Sequence, residues 1–97
     1  MSSSALGDLR LEVESIDGQL VDLIAQRFEV ARKIEAAKRE NGGRIICQRR
    51  EAEELNNLCG QAISREIDPD FVRSIFRLII DESIRVQLAQ REAADDR

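Results

Sequence analysis

Residues 9–43 read LRLEVESIDGQLVDLIAQRFEVARKIEAAKRENGG. Apolar side chains recur at Leu9, Val13, Ile16, Leu20 and Leu23, then at Val30, Ile34 and Ala37, in alternating steps of three and four. That period belongs to an amphipathic helix and comes close to a heptad. Gly42-Gly43 ends it, because glycine takes the left-handed C-terminal conformation without steric cost. The spacing predicts one helix from about Leu6 to Asn41, roughly 54 Å long at ~1.5 Å per residue. A compact domain of ~100 residues has a radius of gyration near 13 Å. Two short helices cannot wrap a rod of that length. A second copy, with the long helices antiparallel across a two-fold axis, is the simplest cover.

Outward from this stretch, the pattern predicts two more helices. One spans about Gln48 to Ser64, with Leu55, Leu58 and Ala62 on its stripe. The other follows Asp68-Pro69-Asp70, where Asp68 suits the N-cap and Pro69 the first helical position. Its stripe is Val72, Phe76, Ile79 and Val86, flanked by Ile75 and Ile80, and it is expected to reach Gln90. Residues Met1 to Ser4 and Arg91 to Arg97 are expected to fray. The expected architecture is therefore all-α. One long and two shorter helices form a single domain over residues 1–97, helical over about 5–91, in an intertwined homodimer.

Composition narrows the chemistry. The 97 residues carry a net charge of −4 and contain no histidine, tyrosine or tryptophan. Without histidine, a Ser-His or Cys-His nucleophile is excluded within the chain. Cys47 and Cys59 fall ~12 residues apart on one expected helix, roughly 18 Å along its axis, too far to pair there. With no CxxC and no His/Cys cluster, no metal site is expected. The acidic balance and interspersed charges argue against nucleic acid as a partner. No apolar run approaches the ~18 residues of a membrane span, and no signal-peptide pattern opens the chain. The expected location is the cytoplasm.

The informative residues are polar ones that continue the apolar stripes. On the first helix the step after Leu23 lands on Arg27, and later steps land near Lys38. On the second, Glu51 and Cys47 precede Leu55 by one and two turns. On the third, Ser83 and Gln87 follow Ile79. Buried charges need partners, so one reading is an ion-pair network that sets helix register, for example Arg27 with Glu51. The other is a polar pocket inside a bundle. Arg10, Arg27, Lys38 and Arg50 outnumber Glu51, and a surplus of cations calls for an anionic ligand. At ~100° per residue, Arg27 and Lys38 point within about 20° of each other, roughly 16 Å apart. Arg10 lies roughly 25 Å from Arg27 along the same helix. Only a partner's Arg10 could join them, which gives two equivalent sites per dimer.

These residues carry a family resemblance. Leu9-Arg10 with Ile16-Asp17, Leu23-Ile24-Ala25-Gln26-Arg27, Ala36-Ala37-Lys38, Arg50-Glu51, and Ile79-Ile80-Asp81-Glu82-Ser83 with Gln87 follow in order. Together they resemble the all-helical chorismate mutases of phenylalanine and tyrosine synthesis over about Leu9 to Gln87. The resemblance implies conversion of chorismate to prephenate without a cofactor. It implies that Arg10 of the partner chain and Arg27, with Ser83, bind the substrate's two carboxylates. Lys38 and Gln87 would donate to the ether oxygen. Arg50 would support the carboxylate and lysine network, and Glu51 would accept from the ring hydroxyl. Cys47 departs from the family pattern, which has an aspartate there near the ring hydroxyl. As a free cysteine it is expected to be a small buried hydrophobe, and Cys59 plain core. Two rivals remain, the first with a similar cationic pocket and the second accounting for the stripes and the long helix but not for the polar residues on them. One is an isochorismate–pyruvate lyase of the same fold, and the other is a non-catalytic helical dimerisation module. No regulatory segment is visible, so no built-in feedback inhibition is expected.

Overall fold

The computed structural model describes residues 4–96. It contains three helices, α1 (Ala5–Asn41), α2 (Gln48–Ser64) and α3 (Pro69–Asp95), and no strand among the described residues. Local chemistry explains their ends. Ser4 caps α1, its Oγ accepting from the Gly7 amide at 2.8 Å, which satisfies one orphan donor of the first turn. Ser4 is therefore not a frayed residue, and Met1 to Ser3 lie outside the described residues. Lys38 and Arg39 occupy the last turn of α1, where cations complement the helix dipole. Gly42 then turns left-handed at φ 70°. Asp68 caps α3 by accepting from the Asp70 amide at 2.9 Å.

The end of α2 carries no glycine signal. Glu66 takes φ 59°, and the Ile67 amide reaches back to the Ala62 carbonyl at 2.9 Å. The pair closes a left-handed helix-terminal turn of the type glycine usually makes.

The C-terminal segment expected to fray from Arg91 continues as helix to Asp95. Tertiary contacts hold it. Arg91 grips Glu35 of α1 with Nε to Oε2 at 2.7 Å and Nη2 to Oε1 at 2.9 Å. Gln90 donates to the Arg32 carbonyl at 2.9 Å, and Arg39 pairs with Asp95 at 2.9 Å. Glu35 is fully buried.

Helix α3 packs against both α1 and α2, whereas the backbones of α1 and α2 do not approach each other closely. The buried apolar core is small: Ala31, Leu55, Cys59, Ala62 and Ile80. The face of α1 turned to α3 carries Arg27, Phe28, Ala31, Glu35 and Lys38, all buried or half-buried. The apolar stripe points elsewhere. Every residue from Asp8 to Gln26 is exposed, and Leu9, Val13, Ile16, Leu20 and Leu23 are each more than half exposed. The molecule measures 62 × 32 × 16 Å with a radius of gyration of 17.9 Å, well above the ~13 Å of a compact domain of this length. The first half of α1 is thus an arm with an uncovered apolar face.

Candidate active site

The second half of α1, the start of α2 and the middle of α3 enclose an open cavity of about 1440 Å³. Arg27 and Lys38 line it from α1, Cys47, Arg50 and Glu51 from the start of α2, and Ser83 and Gln87 from α3. The two short turns that join the helices bring these separate stretches together. Of the residues singled out in the sequence, Arg10 alone stays away. It is exposed on the arm of α1 and does not line the cavity.

Each side chain is held by identifiable groups. Arg27 Nη1 donates to Ser83 Oγ, and Nη2 donates to Glu54 Oε1 at 3.0 Å. Ser83 Oγ in turn donates to the Ile79 carbonyl at 2.9 Å. Its proton is committed there, so the serine oxygen faces Arg27 as an acceptor and orients the guanidinium. Lys38 Nζ donates to the Ile45 carbonyl at 3.0 Å, and its own carbonyl accepts from the Gly43 amide at 2.8 Å. The glycine turn therefore fixes Lys38 at both ends. A Cβ at Gly43 would stand 3.0 Å from Lys38 Cγ.

The predicted pairing of Arg27 with Glu51 does not form. Arg27 takes Glu54, and Glu51 takes Arg77 of α3 at 2.7 Å. Glu53, a further carboxylate of the lining, pairs with the outward Arg49 at 3.1 Å. The cavity carboxylates are thus engaged, while Lys38, Arg44 and Arg50 line it without a carboxylate within ion-pair distance among the described residues. The uncompensated charge facing the cavity is positive. Such a field favours an anion, and guanidinium groups grip carboxylates with paired donors.

Gln87 stands out among the lining residues. It is buried on the cavity wall, and its Oε1 has no hydrogen-bond partner. Buried polar atoms in folded proteins are nearly always satisfied, so this acceptor calls for a donor, while the amide nitrogen of the same side chain is the group able to donate. Cys47 corrects an expectation. It is exposed rather than buried, and it is the N-cap of α2 rather than part of that helix. Its side chain makes no capping hydrogen bond, because a thiol is a poor acceptor compared with an aspartate carboxylate. Cys59 is buried as expected, with Sγ 3.6 Å from the Pro69 carbonyl.

Four residues escaped the sequence reading: Arg44, Glu54, Arg77 and the Glu35–Arg91 pair's acid. Glu35 alone left a signal. Arg27, Ala31, Glu35 and Lys38 recur at steps of four, four and three, a second helical face beside the apolar stripe.

Curated relatives match most of the chain. The chain is 37% identical over 68 residues to the secreted chorismate mutase of Mycolicibacterium smegmatis, covering 70% of this chain and 38% of that protein. It is 32% identical over 79 residues to the T-protein of Haemophilus influenzae, covering 81% of this chain and 21% of the relative. It is 30% identical over 86 residues to the bifunctional chorismate mutase/prephenate dehydratase of Buchnera aphidicola, covering 89% and 22% respectively. The chain thus spans well under half the length of each of these relatives. Residues 9–88, which contain the whole α1 stripe and every cavity residue named above, match the family described as chorismate mutase type II, and the chain belongs to that family.

Proposed function

We propose that this chain rearranges chorismate to prephenate as an intertwined homodimer with two equivalent sites. The observation that carries the reading is the surplus of cations lining the cavity. The reaction is pericyclic. It needs no nucleophile, no proton transfer and no cofactor, which suits a chain without histidine. Two tasks are left. One is to hold a flexible dianion in the folded conformation that brings its reacting carbons together. The other is to stabilise negative charge that grows on the ether oxygen as the carbon–oxygen bond breaks.

Arg27 suits the first task, already oriented by Ser83 and Glu54. Helping with a substrate carboxylate would require the Ser83 hydroxyl to rotate off Ile79. Lys38 suits the second task as a charged donor, and Gln87 as a neutral amide donor active over a broad pH range. Arg50 supports the carboxylate and lysine network. Glu51 accepts from the ring hydroxyl, and Cys47 lies near it at the head of α2.

The uncovered stripe on α1 supports the dimer. Five aliphatic side chains on one face of an arm cost stability if left in water, and a second α1 offers the same face by symmetry. Arg10 lies on that arm, so pairing would bring it to the partner's cavity. Two free thiols, one exposed, suit a reducing compartment, and we place the protein in the cytoplasm. No helix of the described residues is long and apolar enough to cross a membrane.

The direct test is to mix the protein with chorismate, follow its loss by ultraviolet absorbance and identify the product by chromatography. Prephenate is the expected product. A folded protein that leaves chorismate intact and releases salicylate and pyruvate from isochorismate would establish the lyase instead. The assembly has its own test. Arg10→Ala and Lys38→Ala chains, each nearly inactive, should regain activity when mixed and refolded. One site of the mixed dimer then holds both native residues. Mixed dimers that form but stay inactive would place Arg10 outside the site.

A further inference from the structure

Glu51 stands in the wall between two depressions. It lines the main cavity and also a smaller one of about 490 Å³ on the other side, which Arg77 and Asp81 line. Arg77 does not reach the main cavity. It holds Glu51 from behind, with Nη2 donating to Oε1 at 2.7 Å. Arg77 is itself pinned by Asp81, one turn along α3, through Nε at 3.1 Å and Nη2 at 2.8 Å. Among the described residues no group is bonded to Glu51 Oε2. The glutamate therefore gives one oxygen to Arg77 and has the other unengaged at the wall of the cavity.

We infer that Arg77 is a positioning residue for substrate recognition: it holds Glu51 as an acceptor for the ring hydroxyl and keeps it off the cavity cations. This rests on the mutase reading of the cavity. The physical need is clear from the charges. Glu51 shares the cavity with Lys38, Arg44 and Arg50, none of which has a carboxylate partner among the described residues. A glutamate has three side-chain torsions, and released from Arg77 it would be drawn onto one of those cations. Both would then be lost to the substrate, the hydroxyl acceptor and the cation. The counter-charge that prevents this comes from outside the cavity, so it adds no cation to the binding surface. The short contact with Glu51, ahead of that with Asp81, raises the pKa of Arg77 above its ordinary value, consistent with a guanidinium that stays charged and paired.

The experiment is a cycle between one side chain and one substrate group. The wild-type protein, Arg77→Leu and Arg77→Lys are each assayed with chorismate and with its analogue lacking the ring hydroxyl. A hydrogen bond to a charged acceptor is commonly worth about ten-fold or more. Arg77→Leu is expected to lower kcat/KM for both substrates through the engaged cation, and for chorismate about ten-fold more than for the deoxy analogue. Arg77→Lys keeps one donor and should fall between, still selectively on chorismate. If the leucine chain does not fold, the lysine chain carries the same comparison. Equal losses on both substrates, or no loss on either, would overturn the inference and leave the mutase reading standing. No turnover of chorismate by the wild-type protein would overturn the mutase reading itself, and the inference with it.

Discussion

Lys38→Ala is expected to lower kcat for chorismate by about 10²–10³-fold or more, the usual cost of removing one preorganised donor from a developing oxyanion. Lys38 is half-buried at the end of α1, and its Nζ is held by the Ile45 carbonyl at 3.0 Å. It therefore enters the reaction already placed, with little reorganisation left to make. The fold should survive the substitution. The end of α1 is closed through the backbone, with Gly42 and Gly43 amides meeting the Lys38 carbonyl, and alanine keeps that carbonyl. Alanine is also the better helix former. Circular dichroism and sedimentation should thus match the wild-type protein while steady-state turnover collapses. A folded variant with near-normal turnover would remove Lys38 from the mechanism.

Glu35→Ala should have the largest effect on stability. Its carboxylate is fully buried and receives two donors from Arg91 across the α1–α3 interface. Removing one partner of a buried pair typically costs about 3–5 kcal/mol, because the other charge is left without compensation. Arg91 is 31% exposed and can recover some hydration, which favours the lower part of that range. The same change frees the last turns of α3, so amide exchange should rise from Gln87 onward. Urea unfolding at one fixed protomer concentration is the measurement, since the proposed dimerisation would make the midpoint concentration-dependent. Replacing both partners together, as Glu35→Met with Arg91→Leu, should restore most of the loss. A single substitution within about 1 kcal/mol of wild type would mean that the pair is replaced by water at no cost.

The pair also shows why α3 runs beyond the Gln90 expected from sequence, to Asp95. Residues 91–97 contain acids, alanines and arginine with no apolar stripe, and such a tail reads as frayed. Glu35 and Arg91 are separated by 56 positions, and no local pattern connects them. Cys47 failed for a related reason. A free cysteine is most often buried, yet at the head of α2 the backbone must leave the helix, and the side chain goes with it into solvent.

What the sequence determined by itself is what local energetics control. The 3.6-residue period, the glycine pair at 42–43 and the Asp68-Pro69 start act within a few residues, so the extents of α1 and α2 and the start of α3 could be read directly. Polar residues on the helix patterns were legible too, although Arg27 and Lys38 lie on a face beside the α1 stripe and not on it. Tertiary structure alone decided which charges meet. Arg27 pairs with Glu54 at a separation of 27, and Arg77 with Glu51 at 26. Several acids on α2 are equally plausible partners in sequence. The choice among them depends on the rotation of α2 against α3, and that rotation is set by packing around Leu55, Cys59, Ala62 and Ile80. Ion pairs follow the geometry that apolar burial imposes, since their own net energy is too small to dictate it.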